Sequence, residues 1–395
     1  MHHFSLNHGR VWLCSVLVCS VAAACANPES EIGETSRAIQ ELDVQLRDVL
    51  ILGADDSASP EYLFGAPRFV VTDSQGHIYI ADEAVMNIRS YDAAGHYLRT
   101  IGQRGQGPGE FHSFTGMTIN RQDEIITLDR GNARFTRFSP EGKELDTHPS
   151  RMWAVSRIHP FRGGYLILNN HAEGEGVTDY LFRGFNPNFQ ETTVVFGSAD
   201  EIIDPDEMLE QTSLSADPGS FIFMDSGVLF APSLYEGKLY LYTEEQGQWK
   251  QARQFLGHVG IRRSYKKILD GPMDTEHVDA LLRYAGKDVG ALVHNSSKGL
   301  FRLQDQHIVH FTFCEFGQER LFGVEVFEED GSLIGYGVID RVPLTAHGTA
   351  SLKLRVVWKD DQDRFYIIDQ EEKPVIRVVE LEFGPISNTS EKAQR

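Results

Sequence analysis

Two stretches of the chain repeat each other at a distance of 47 residues. Residues 69–101 (FVVTDSQGHIYIADEAVMNIRSYDAAGHYLRTI) and 116–145 (GMTINRQDEIITLDRGNARFTRFSPEGKEL) bring Asp82 onto Asp129, Tyr91 onto Phe138 and Gly95 onto Gly142. Each copy holds four short alternating apolar runs, split by turns of Gly, Asp and Asn. Such runs form strands, and a small sheet of them must stack on like sheets to cover its faces. A repeat of roughly 40–50 residues with four strands per unit is the signature of a β-propeller blade.

The same pattern can be followed along the chain. Blades are expected at about 64–102, 111–148, 154–196, 220–255 and 299–338. A sixth, at 353–381, has only three strands. The segment 42–52 is strand-like and belongs to no other blade, so it is expected to supply the missing outer strand and close the ring, which removes the exposed edge. The predicted fold is all-β, a six-bladed β-propeller closed by an N-terminal strand. Between blades four and five, residues 259–295 space Tyr265, Ile268 and Leu269, then Val278, Leu281, Leu282 and Tyr284, at helical intervals, and a helical insertion is predicted there.

The two ends read differently. Arg10 precedes an apolar run, 11–24, that is of secretory length and too short to span a bilayer. It ends Val21-Ala22-Ala23-Ala24-Cys25, which is similar to a bacterial lipoprotein signal with Cys25 as the lipidated first mature residue. Ala22 departs from that pattern, and cleavage after Ala24 or Ala26 without lipidation is the alternative. The expected organisation is a signal peptide over 1–24, a tether over 25–41, the propeller over 42–382 and a polar tail over 383–395. The expected address is the periplasm or cell surface of a bacterium, with the chain lipid-anchored and monomeric.

Charge narrows the partners. Asp and Glu outnumber Lys and Arg by 57 to 37, a formal charge of −20. Such a surface repels phosphate backbones and argues against nucleic acid. Of four cysteines, Cys14 and Cys19 lie in the signal, Cys25 is the lipid candidate and Cys314 stands alone, so no disulfide framework is expected.

The residues of blade one carry a resemblance. Pro67-x-x-Val70-Val71-x-Asp73-x-x-Gly76-x-Ile78-Tyr79-Ile80-Ala81-Asp82, then Asn87-x-Arg89 and Tyr91, resembles the NHL repeat. Gly105-Gln106-Gly107-Pro108-Gly109-Glu110-Phe111 is similar to the blade junction of bacterial NHL-like six-bladed propeller lipoproteins. The resemblance implies a secreted or lipid-anchored propeller, mostly without an assigned activity. It also brings in a precedent, since some NHL-like propellers are zinc lyases with His ligands from several blades.

In a propeller the loops between second and third strands ring one mouth of the central channel. They offer Asp82 and Asn87 from blade one, Asp129, Arg130, Asn132 and Arg134 from blade two, His171 from blade three, Glu236 from blade four and Glu315 from blade five. These residues are the candidate binding set, and a polar small molecule, glycan or protein is the expected partner. An Asp at a strand end also binds nearby backbone N–H groups, which is the structural alternative for Asp82 and Asp129. No catalytic residue, metal ligand or cofactor is assigned. The reading is a non-enzymatic binding propeller; the alternative is a metal-dependent lyase or hydrolase with a channel Zn or Ca site, for which His171 and His347 lie nearest the rim. No G-x-S-x-G nucleophile elbow occurs.

Overall fold

The computed structural model describes residues 40–53, 59–150, 155–169, 180–198, 201–202, 218–259, 265–268, 280–284, 287–316, 319–343, 354–370 and 373–384. The targeting segment with Cys25, and His171 and His347, lie outside them.

Two strands, β1 (Gln40–Leu42) and β2 (Val44–Leu52), precede the first blade. Blade one is β3 (Pro67–Thr72), β4 (Ile78–Asp82), β5 (Asn87–Tyr91) and β6 (Tyr97–Ile101). Blade two is β7 (Phe114–Ile119), β8 (Ile125–Asp129), β9 (Arg134–Phe138) and β10 (Glu144–Pro149). Blade three is β11 (Val155–Phe161), β12 (Gly164–Asn169), β13 (Tyr180–Phe185) and β14 (Thr192–Ser198). Blade four is β15 (Gly219–Met224), β16 (Gly227–Pro232), β17 (Lys238–Glu245) and β18 (Gln248–Leu256).

The next three strands, β19 (Tyr265–Ile268), β20 (Ala280–Tyr284) and β21 (Lys287–Val293), form a sheet of their own in the order β19-β21-β20. The helical insertion predicted over 259–295 is therefore corrected: these described residues are strands. Tyr265 pairs with Val293 and Tyr284 with Lys287, so antiparallel pairing at both edges of β21 satisfies the backbone. Apolar residues in short runs fit either period, and here the pairing partner decides.

Blade five follows as β22 (Asn295–Arg302), β23 (Ile308–Phe316), β24 (Glu319–Phe327) and β25 (Leu333–Pro343). Blade six has β26 (Leu354–Lys359), β27 (Arg364–Asp369) and β28 (Val375–Phe383), and β2 completes it in the order β2-β28-β27-β26. Val44 pairs with Phe383 and Leu52 with Ile376, so first and last strands of the propeller close the ring. The Arg377 guanidinium grips both Asp48 carboxylate oxygens across that pair, at 2.9 and 3.1 Å. β1 adds a parallel fifth strand to blade five beside β25. It can approach because Gly335 lacks a Cβ, which would lie 2.3 Å from the Gln40 carbonyl oxygen.

The core consists of six wedges, one at each seam between blades. Strand alternation assigns the side chains. On β4, Ile78 and Ile80 enter the seam with blade six, while Tyr79 and Ala81 enter the seam with blade two. Both faces of each blade are thus covered, which is why inner strands read as near-continuous apolar runs. Phe111 fills the seam between blades one and two, its ring 4.4 Å from that of Phe114 and 5.6 Å from that of Phe138.

The repeat is chemical as well as geometric. Asp82 accepts from the amides of Gly65 and Ala66, each at 2.9 Å. Asp129 accepts from those of His112 and Ser113 at 2.8 and 2.9 Å. Each carboxylate therefore pins the segment entering its own blade, and the two sets of partners are again 47 residues apart.

Candidate functional site

The first strand of every blade faces the axis. Together β3, β7, β11, β15, β22 and β26 enclose a channel cavity of about 290 Å³. Its wall is aromatic in blades four to six, through Phe221, Phe223, Phe301 and Trp358. The Trp358 indole N–H donates to Thr72 Oγ1 at 2.9 Å, which fixes that ring against blade one.

The described residues that line this cavity include Arg68, Arg157, Arg302 and Lys359, and no carboxylate. In a chain of charge −20 that is a local reversal of sign. The counter-charges stand outside the wall. Arg68 meets Glu83 at 2.9 Å, Arg302 meets Asp225 at 2.9 Å, and Lys359 meets Asp363 at 2.6 Å. The Asp225 hydrogen bond raises the Arg302 guanidinium above its ordinary value, so it stays charged. His159 also lines the cavity. Burial, and secondarily the charge of Arg157, lower it to about 4, so the ring is neutral at physiological pH. Its edge meets the Phe221 face at 4.9 Å between centroids.

Arg302 and Lys359 also border a shallower cleft of about 500 Å³ with Gln304, Gln306, Asp225 and Asp361. These residues sit where β22 and β26 end, on the face of the turns between first and second strands. The two cations thus join the cleft to the channel.

The residues anticipated at the other mouth are placed as follows. Asp82 and Asp129 are buried and hold backbone amides. Asn132 donates to Asp129 Oδ2 at 2.7 Å and to the Gly105 carbonyl at 3.0 Å. The Arg134 guanidinium donates to the carbonyls of Gly107 and Glu110 at 2.5 and 2.8 Å, clamping the glycine-rich junction. Arg130 is exposed, and Asn87 and Glu236 are half-buried. Glu315 accepts from or shares a proton with His294 Nδ1 at 2.5 Å. The channel cations Arg68, Arg157, Arg302 and Lys359 escaped sequence reasoning. The signal available was the basic residues on the first strands of blades one, three, five and six, one each on β3 and β11 and two each on β22 and β26.

A second polar cluster is buried at the seam between blades four and five. Glu325 Oε2 accepts from the Tyr235 hydroxyl at 2.7 Å and faces His310 Nδ1 at 3.0 Å. Its other oxygen accepts from the His258 backbone amide at 2.7 Å. Burial works to raise this carboxyl, but the bonds from His258, His310 and Tyr235 outweigh it and hold it at about 2. Gly257 makes room: a Cβ there would lie 1.8 Å from the Tyr235 hydroxyl oxygen and 2.4 Å from Glu325 Oε1.

Among the described residues no group of three or more His, Cys, Asp or Glu is arranged to hold a metal ion. Cys314 is buried and forms no disulfide among the described residues.

Residues 61–255 match the family described as 6-bladed beta-propeller, DUF5128. No curated protein matches the chain in sequence. Among solved structures, a DUF4221 member from Bacteroides vulgatus superposes with a TM-score of 0.54 at 10% identity, over 87% of this chain and 100% of that one. A Bacteroides fragilis protein whose name assigns it provisionally to export superposes with a TM-score of 0.52 at 11% identity, over 86% of this chain and 95% of that one. Six blades around one channel, the match of residues 61–255 and these superpositions make the chain a six-bladed β-propeller.

Proposed function

We propose that the propeller binds a small organic anion with an apolar body in its central channel, as an exported protein tethered to a bacterial membrane. The carrying observation is the composition of the channel wall: among the described residues it has aromatic side chains, four cations and no carboxylate. An apolar ring can lie against Phe221, Phe301 and Trp358 while a carboxylate reaches a guanidinium. Arginine suits that role because its planar fork matches a carboxylate and is weakly hydrated. The cavity lies at the lower end of the size range of small-molecule sites, so the ligand is a compact one. His159 stays neutral and supplies an edge rather than a charge.

Naphthalene-2-carboxylate is a suitable probe. A charge-assisted hydrogen bond contributes about 1.5–3 kcal/mol, so Arg157→Met or Arg302→Met should weaken binding by about tenfold or more. Arg341→Met, which breaks an exposed pair with Glu319, should leave it unchanged. Equal binding by all three variants removes the channel as the site.

Export and tethering rest on the apolar run 11–24 and the Ala-Ala-Ala-Cys sequence at 22–25. Cys25→Ser should move the protein from the membrane fraction to the soluble one. Continued membrane association of that variant excludes a lipid on Cys25 as the anchor.

A further inference from the structure

The side chain of Ser297 ends a relay of hydrogen bonds that begins on the buried carboxylate of Glu325. β22, β23 and β24 are neighbours in blade five, and His310 lies opposite both Leu300 and Glu325 in the register. His310 Nδ1 stands 3.0 Å from Glu325 Oε2, and His310 Nε2 stands 3.0 Å from Ser297 Oγ. An ionised carboxylate only accepts, so Nδ1 carries the ring hydrogen. In the tautomer with its hydrogen on Nδ1, Nε2 is the acceptor for the serine O–H.

The ring is held in place. Its edge meets the Tyr235 ring at 4.6 Å and 80°, and the Tyr235 hydroxyl and the His258 amide fix the carboxylate that orients it. His310, Glu325 and Tyr235 are fully buried, whereas Ser297 keeps part of its surface in solvent. A staple between strands has no need of a residue at one end that solvent reaches, whereas an activated nucleophile does.

We propose that Ser297 is a nucleophile with His310 as its general base and Glu325 as a positioning residue, and that it hydrolyses small, unhindered carboxylic esters. The Oγ proton passes to His310 Nε2 as Oγ bonds to the ester carbonyl carbon. The carbon–alkoxy bond then breaks, and the leaving oxygen takes the proton from Nε2 to depart as the alcohol. Water attacks the acyl-serine, giving its proton to Nε2, and the proton returns to Oγ as the acid leaves. The balance is ester plus water to acid plus alcohol. This inference does not rest on anion binding in the channel, since Ser297 is not part of the channel lining.

The test uses the full chain with diisopropyl fluorophosphate and with p-nitrophenyl acetate. One covalent adduct, on the peptide that contains Ser297, is expected, with loss of fluoride. Turnover of the acetate ester should fall at least about tenfold in Ser297→Ala at unchanged melting temperature. Because Glu325 acts through His310, Glu325→Gln should lower kcat and leave KM nearly unchanged. Absence of an adduct on Ser297 in the folded wild-type chain overturns the proposal, whatever the variants do. So does ester turnover that survives Ser297→Ala.

Discussion

The Tyr235 hydroxyl donates to Glu325 Oε2 at 2.7 Å, a buried phenol–carboxylate bond that joins blade four to blade five. Neither group could be buried alone at low cost. Burial, and then the neighbouring carboxylate, push the phenol well above its ordinary value, while the donors around Glu325 hold the carboxylate ionised. The seam therefore depends on the charge state of one side chain.

Acid should open that seam. The Glu325 carboxyl titrates at about 2 in the folded chain against a reference of 4.5. A depressed pKa contributes stability that is complete above the unfolded value and is lost as pH falls from about 4.5 through about 2. The contribution is on the order of 3 kcal/mol. Urea midpoints measured between pH 5 and pH 2 should fall, with a shallower fall in Glu325→Gln. Parallel slopes for the two proteins would contradict the assignment.

Gly257→Ala should disturb the same cluster through volume alone. A methyl group 1.8 Å from the Tyr235 oxygen forces either the phenol or the backbone to move. Overpacking of this kind costs about 1–3 kcal/mol. The melting temperature should drop, and an unchanged one would refute the overpacking.

Asp129→Ala should weaken the entry into blade two. Removal of the carboxylate leaves the His112 and Ser113 amides and the Asn132 side chain without that acceptor. An orphaned buried donor costs about 1–3 kcal/mol, so the urea midpoint should fall and hydrogen exchange at residues 112 and 113 should speed up. Unchanged exchange there would show that the pin is dispensable.

Much of this architecture was legible in the chain. The 47-residue repeat locates blades one and two because their turns carry the same Asp and Gly residues at the same offsets, and these residues have the same partners in the structure. The closing strand was legible because 42–52 alternates and blade six lacks a partner for Val375–Phe383. The insertion was not. Its strands span only four to seven residues each, too few for a period to separate helix from strand, and the pairing of Tyr265 with Val293 is non-local. The channel cations were hidden for a related reason. Arg68, Arg157, Arg302 and Lys359 are far apart in sequence, and only closure of the ring brings them to one cavity.

Ring closure predicts a sharp difference between two truncations. A chain that begins at Ile39 keeps β2, whereas one that begins at Gly53 lacks it and exposes β28 along its whole length. Val44 and Leu52, both buried, leave their seams with that strand. The longer truncation should melt well below the shorter one or fail to fold, and equal melting temperatures would refute closure by β2.

The most direct measurement compares naphthalene-2-carboxylate with naphthalene-2-carboxamide by titration calorimetry. The two share shape and apolar surface and differ in charge. A channel that selects anions predicts one saturable site for the carboxylate, at least about tenfold weaker binding of the amide, and affinity that falls as salt rises. Equal affinities for the two, or no saturable site for the carboxylate, would contradict it.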